Sequence, residues 1–191
     1  GFGFLGRGLK EYEVLDDPDR TLCVTLFRAC ETWLCTTSFW DRMPDEGLQT
    51  LGELTFHYRL APHAGRWDEA GMMRKAEALN LPLIPCQAGA DPAGRGTNPL
   101  GLKEGFLSFD DPTLMLSGLK KAEDSDALIL RVFNPSARPI ESRVRFGFAV
   151  ASAAETTMNE EPTGKTFDVE DGAIALRLEP KQVLTIALTA A

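Results

Sequence analysis

The side chains able to do chemistry are few. Two histidines, His57 and His63, are separated by five residues, a spacing that suits neither the i, i+4 pair of a helical zinc site nor an i, i+2 pair on one strand face. His57 is expected on the polar face of an extended segment, and His63, after Pro62, is expected to brace a turn. The cysteines Cys23, Cys30, Cys35 and Cys86 form no Cys-x-x-Cys pair. They read as reduced, mostly buried thiols of a cytoplasmic protein. There is no Gly-x-Ser-x-Gly elbow and no phosphate-binding Gly-Lys loop. The glycines around Gly1-Phe2-Gly3 and Gly6-Arg7-Gly8 lead into Glu11-Tyr12-Glu13-Val14, a β-like stretch, where a dinucleotide site requires a helix. Carboxylates remain, and hydrolysis of a glycoside needs two of them about 5–10 Å apart. Glu11 and Glu13, and Asp124 and Asp126, would each share a strand face. In a chain with 28 acidic and 20 basic residues, net −8, paired acids read first as a solvated surface. Trp33, Trp40 and Trp67 could stack on sugar rings, or could pack a core.

The elements that must carry these residues repeat every two positions. Leu54, Phe56, Tyr58 and Leu60 alternate with Glu53, Thr55, His57 and Arg59, which predicts a half-buried strand with Phe56 and Tyr58 in the core. Val144, Phe146, Phe148 and Val150 repeat the pattern, as do Ile174, Leu176 and Leu178 after the turn signal Glu170-Asp171-Gly172. Residues 22–27, 128–133 and 183–188 are apolar on both faces, as central strands are. Breaks are expected at Asn134-Pro135-Ser136 and Pro162-Thr163-Gly164. Residues 68–80 read as one short peripheral helix stopped by Asn80. Residues 85–105 read as a long surface loop and residues 117–126 as a linker. Together these predict an all-β fold, an antiparallel β-sandwich, with a boundary near Asp111-Pro112.

The length of 191 residues suits one domain or two small ones. The negative charge argues against nucleic acid and anionic membrane surfaces. No apolar run reaches the 18 or so residues of a membrane span, and the opening lacks the order of a signal peptide. A start without Met leads to the expectation of a processed piece or a fragment.

Several segments, taken in order, resemble the C-terminal part of the family 38 glycoside hydrolases, the α-mannosidases. They are Arg7-Gly8-Leu9-Lys10-Glu11-Tyr12-Glu13-Val14 followed by residues 22–29, then residues 52–67 with Phe56-His57-Tyr58-Arg59-Leu60-Ala61-Pro62-His63-Ala64-Gly65-Arg66-Trp67. Asn80-Leu81-Pro82-Leu83 follows, and then residues 116–134. The tail, Lys181-Gln182-Val183-Leu184-Thr185-Ile186, matches less closely, and Gly6 stands where the family often has Asn.

The resemblance implies that residues 1–112 are part of a large β-sandwich domain, a portion of a super-sandwich, and that residues 113–191 are a small C-terminal β-sandwich. It implies a retaining α-mannosidase, cytoplasmic and bacterial, whose zinc, nucleophile and acid/base carboxylate lie in an N-terminal barrel outside this chain. No catalytic residue and no metal ligand is therefore expected here. The expected partners are the catalytic and helical domains of the same polypeptide, with possible homo-oligomers, and the expected substrate is an α-mannoside or a mannosylglycerate-like solute. Arg7, Glu11 and Tyr12 are the candidates for an edge of the sugar site. The alternative is a stand-alone carbohydrate-binding β-sandwich.

Overall fold

The computed structural model describes residues 1–29, 49–86 and 103–191. Contacts divide the chain into two units, one of Gly1, His63–Arg74 and Leu83–Ala191, the other of Phe2–Pro62 and Lys75–Pro82. The elements are β1 (Phe2–Arg7), β2 (Tyr12–Val14), β3 (Leu22–Val24), β4 (His57–Pro62), α1 (Met72–Asn80), β5 (Leu107–Phe109), β6 (Met115–Lys121), β7 (Leu128–Phe133), β8 (Ile140–Phe146), β9 (Val150–Thr156), β10 (Pro162–Phe167), β11 (Ala173–Leu178) and β12 (Val183–Ala190).

The larger unit is an antiparallel sandwich of a five-stranded sheet, ordered β10-β9-β12-β7-β6, and a three-stranded sheet, ordered β11-β8-β5. Its core follows the two-residue period. Leu130 and Val132 of β7, Val144 of β8, Ile174 and Leu178 of β11, and Ile186 and Leu188 of β12 are fully buried, each worth about 1.5–3 kcal/mol relative to exposure. The outward residues of β11, Ala175 and Arg177, are exposed, as the alternation at Ile174, Leu176 and Leu178 predicts.

The expected run from Arg143 to Val150 is two strands. Val144 is buried, and Phe146, Phe148 and Val150 pack against the core, but the chain turns between β8 and β9. The Gly147 amide bonds the Phe106 carbonyl at 3.0 Å. A Cβ at Gly147 would lie 2.2 Å from the Gly105 carbonyl oxygen, so the backbones approach more closely than any side chain allows. The turn at Asp171-Gly172 forms as expected. Both residues have positive φ, 51° and 68°, and Glu170 and Ala173 exchange backbone bonds of 2.9 Å, the pattern of a type I′ hairpin turn.

Three connections differ from expectation. Residues 117–126 are not a free linker, because β6 pairs with β7 as far as Lys121 opposite Leu128, which leaves a short turn. Pro162-Thr163-Gly164 is not a break but the bulged start of β10, with a register shift between Pro162 and Thr166; the turn comes earlier, at Glu160, whose φ is 69°. The helix begins at Met72 rather than at residue 68. Gly71 has φ 65°, and the preceding turn bonds Ala70 to Arg66 and Met72 to Trp67. Asn80 does close the helix, its side-chain amide donating to the carbonyls of Ala76 at 2.9 Å and Gly6 at 3.2 Å. The expected loop at residues 85–105 lies mostly outside the described residues.

In the smaller unit β1 pairs with β4, from Phe2 opposite Pro62 to Arg7 opposite His57, and β2 pairs with β3. Here the burial expectations fail. Tyr58 and Leu60 are exposed, Leu54 is exposed and Phe56 half-buried. Residues 22–27 do not form a central strand, since β3 has one partner and Leu22, Leu26 and Phe27 are exposed. The physical reason is that, among the described residues, these two-stranded ladders have no second layer to bury their apolar side. Instead the aromatics stack on each other, Phe4 on Tyr58 at 5.4 Å and Phe27 near Phe56 at 6.4 Å between ring centroids. Cys23 and Cys86 are free thiols but exposed rather than buried.

Candidate functional site

The segment from β1 to β3 carries the three candidate residues. Arg7 ends β1, and Gly8, with φ 76°, turns the chain through Leu9 and Lys10 into β2. The Thr25 amide bonds the Glu11 carbonyl at 3.0 Å, which fixes Glu11 at the open end of the β2–β3 hairpin. Its carboxylate is engaged as well. Arg28 donates to Glu11 Oε2 from Nε at 3.1 Å and from a terminal nitrogen at 2.9 Å. Tyr12, the first residue of β2, is 75% exposed.

Glu11 and Tyr12 meet in one hollow of about 300 Å³, together with Phe2, Phe4, Leu9 and Lys10. Arg7 does not line it; it is exposed at the end of the ladder, across from His57. Three aromatic rings with one ammonium and one carboxylate at the rim can hold the apolar face of a small polar ligand and bond its edge. Among the described residues that line the hollow, Glu11 is the one carboxylate, where hydrolysis of a glycoside takes two. Sequence reading found Glu11 and Tyr12 but missed Phe2, Phe4, Lys10 and Arg28. The spacing of Phe2 and Phe4, two apart on a strand and hence on one face, was the available signal.

The other candidates are structural. Asp126 pairs with Lys121 at 2.8 Å, and with Asp124 it lies in the exposed turn after β6 rather than on a strand. His57 is exposed. His63 braces a turn, its amide bonding the Gly1 carbonyl at 2.9 Å and its ring Nδ1 lying 3.3 Å from the Ala64 carbonyl. Trp67 packs beneath the Lys181 ammonium, 5.0 Å from its ring centroid. Trp33 and Trp40, with Cys30 and Cys35, lie outside the described residues.

Beside Trp67, Asp68 ties the approach to α1 onto the sandwich. Its side chain is 4% accessible. One oxygen accepts from Arg66 Nε at 3.1 Å and the other from the Ala137 amide at 3.4 Å. Burial pushes this carboxyl up, but the Arg66 guanidinium and the Ala137 amide outweigh burial and hold it below the usual carboxylate range. Among the described residues no three His, Cys, Asp or Glu side chains converge to hold a metal, and no helix is long and apolar enough to cross a membrane.

Comparison with known proteins adds four findings. Residues 113–186 match the family described as "Glycosyl hydrolases family 38 C-terminal beta sandwich domain". Alpha-mannosidase 2C1 of Homo sapiens is 28% identical over 151 residues, covering 77% of this chain and 14% of that protein. The Mus musculus protein of the same name is 28% identical over 143 residues, covering 72% and 13%. The crystal structure of an alpha-mannosidase from Enterococcus faecalis V583 superposes with a TM-score of 0.73 at 24% identity, over 98% of this chain and 19% of that one. The shared fold thus includes the smaller unit as well as the sandwich. The chain spans about one seventh of the length of the curated relatives it matches.

Proposed function

We propose, from a chain whose residues 113–186 form a glycosyl hydrolase family 38 C-terminal β-sandwich domain, that these 191 residues are the non-catalytic β portion of an α-mannosidase. In this reading the catalytic barrel and the helical domain belong to the same polypeptide and act on an α-mannoside or a mannosylglycerate-like solute. The family match over the sandwich is the observation that carries it. The fold likeness over 98% of the chain supports extending it to residues 1–112 as part of a larger β domain.

The smaller unit supports the same reading physically. Phe2, Tyr12, Val14, Leu22 and Leu60 are exposed on two-stranded ladders, and Phe2, Tyr12 and Leu22 line one hollow, the kind of exposed apolar surface that marks an interaction site. The catalytic and helical domains are the partners this reading assigns to it. Zinc belongs to the barrel in this reading. The described residues here offer no ligand set that fits it. Free thiols at Cys23 and Cys86 go with a cytoplasmic location.

Glu11, Tyr12 and Arg7 form the proposed edge of the sugar site. Glu11 is locked by Arg28 and Tyr12 is free to lie against a ring, so Tyr12 supplies contact area and the Glu11–Arg28 pair supplies a fixed acceptor and donor. Arg7, an exposed cation at the end of β1, lies outside that hollow and completes the proposed edge only through the likeness to the family. The test is a panel of aryl glycosides with the intact protein. The α-mannoside is expected to be turned over in preference to the α-glucoside, the α-galactoside and the β-mannoside. Preference for any of the other three contradicts the assignment.

A further inference from the structure

The outward face of the three-stranded sheet is ordered by register. Ala175 stands opposite Arg143, Ala173 opposite Arg145 and Arg177 opposite Glu141. Two of these arginines are satisfied. Arg145 forks onto Asp110 through two bonds of 3.2 Å. Arg177 bonds Glu141 at 3.1 Å and Glu179 at 3.3 Å, and the carboxylates, Glu179 foremost, hold its guanidinium above its ordinary value. Arg143 differs. Its side chain makes one long bond, from a terminal nitrogen to the Glu170 carbonyl at 3.5 Å, and its Nε is buried with no acceptor among the described residues. A buried donor left without an acceptor is uncommon and calls for an explanation.

Hollows of about 440 and 310 Å³ open on the two sides of Arg143, and Ala175 lines both. Each is within the size range of small-molecule sites, about 300–1,000 Å³. A lone guanidinium would suit an anion. Here, however, Asp110 and Glu141 stand on one side, and Asp168 and Glu170 on the other. Asp110 and Glu141 are already bonded by Arg145 and Arg177, whereas the Asp168 and Glu170 carboxylates have no donor among the described residues. The Arg143 terminal nitrogens have only the long bond to the Glu170 carbonyl. Carboxylates beside the guanidinium disfavour an anion. A hydroxyl group is both donor and acceptor. The exposed Ala175 leaves a low apolar floor between these groups on which the C–H face of a sugar ring can lie.

We infer that this face is a saccharide-binding groove centred on Arg143, taking a neutral oligosaccharide of two or three units. Arg143 donates to a ring or hydroxyl oxygen, and the flanking carboxylates accept from neighbouring hydroxyls. The inference does not depend on the substrate assigned above, because any neutral oligosaccharide presents this chemistry.

The experiment titrates mannotriose, maltotriose and, as an anionic probe, tricarballylate into the isotopically labelled 191-residue chain, following backbone amide shifts by NMR. Shifts in β8 and β11 with at least one trisaccharide are expected. Arg143→Lys keeps the charge but removes the planar fork of terminal N–H donors, and should weaken that binding roughly tenfold. Ala175→Leu, at an exposed position, should block it with an unchanged unfolding midpoint. The inference is overturned if neither trisaccharide shifts these strands, if Arg143→Lys binds as the parent does, or if tricarballylate binds in preference to both sugars.

Discussion

At the scale of single residues, Asn134 is the most constrained side chain in the sandwich. It is fully buried, its amide nitrogen donates to the carbonyls of Arg138 at 2.8 Å, Glu179 at 3.0 Å and Leu178 at 3.3 Å, and its oxygen accepts from the Ser136 amide and hydroxyl at 2.9 and 2.7 Å. One side chain thus satisfies the β7–β8 connection and the end of β11. Asn134→Ala should cost about 2–3 kcal/mol, because it leaves buried groups on both sides unpaired. A denaturant midpoint within error of the parent, at unchanged slope, would refute that role. Phe56 shows the opposite case. The alternation at residues 54–60 places it in a core and suggests a loss of about 3–5 kcal/mol on truncation, yet Phe56 is half-buried and rests mainly near Phe27. Phe56→Ala should therefore cost less than Leu130→Ala in this chain, and equal or reversed losses in parallel melts would show a core position after all. Periodicity identifies the face of a strand that is apolar. It does not identify what covers that face, and for β4 no cover stands among the described residues. Glu11 and Tyr12 were singled out for the site edge through the family resemblance alone, and Arg28 was not, since the Glu11–Arg28 pair spans seventeen positions and depends on the β2–β3 register.

Among the elements, the two sheets were legible wherever turn chemistry and apolar period agree. Asp171-Gly172 supplies both positive φ values that its hairpin requires, so Gly172→Ala should cost about 1 kcal/mol through the left-handed backbone alone; an unchanged melting temperature would count against the turn assignment. The β8–β9 turn was not legible, because its cause is the distant Gly105 backbone pressed against Gly147. The junction of the β6–β7 turn with the β9–β10 turn is electrostatic. Lys120 contacts Glu123 and bonds Glu160 at 2.8 Å, and the Glu123 amide donates to Glu160 at 2.9 Å. Glu160 is held below the usual carboxylate range, first by Lys120 and next by that amide. Glu123 and then Glu160 hold Lys120 above its ordinary value. A carboxyl lowered in the folded state binds fewer protons there than when unfolded. Its contribution is present above the ordinary range and is lost as pH falls from about 4.5 through the lowered folded value. The lysine contribution is present below about pH 10 and is lost only as pH rises through the raised value. Glu160→Gln should thus flatten the acid limb of the stability profile, measured as unfolding midpoint against pH, and an acid limb as steep as the parent's would rule the junction out.

For the molecule as a whole, the two units differ in the way a family's C-terminal portion should if it completes its structure with other domains. The sandwich has an enclosed core of fully buried leucines, isoleucines and valines, and the smaller unit has two-stranded ladders with exposed aromatics. Hydrogen exchange of the 191-residue chain should therefore find the slowest amides in β7 and β12 and fast exchange throughout β2 and β3. Uniform protection across both units would contradict the division. The all-β class was legible from period and turns alone. The likeness to family 38 was legible only from ordered matches, because residues of this kind carry no chemistry that spacing could reveal. The central claim is that this chain is the scaffold of an α-mannosidase and that the chemistry is elsewhere in the polypeptide. It is tested most directly by assaying the intact protein and the isolated 191 residues side by side on an aryl α-mannoside with zinc present. Turnover by the intact protein in the ordinary enzymatic range of about 1–1,000 per second, with none by the isolated chain, is the predicted result. Turnover by the isolated chain, or an intact protein inert toward the α-mannoside, would contradict the claim.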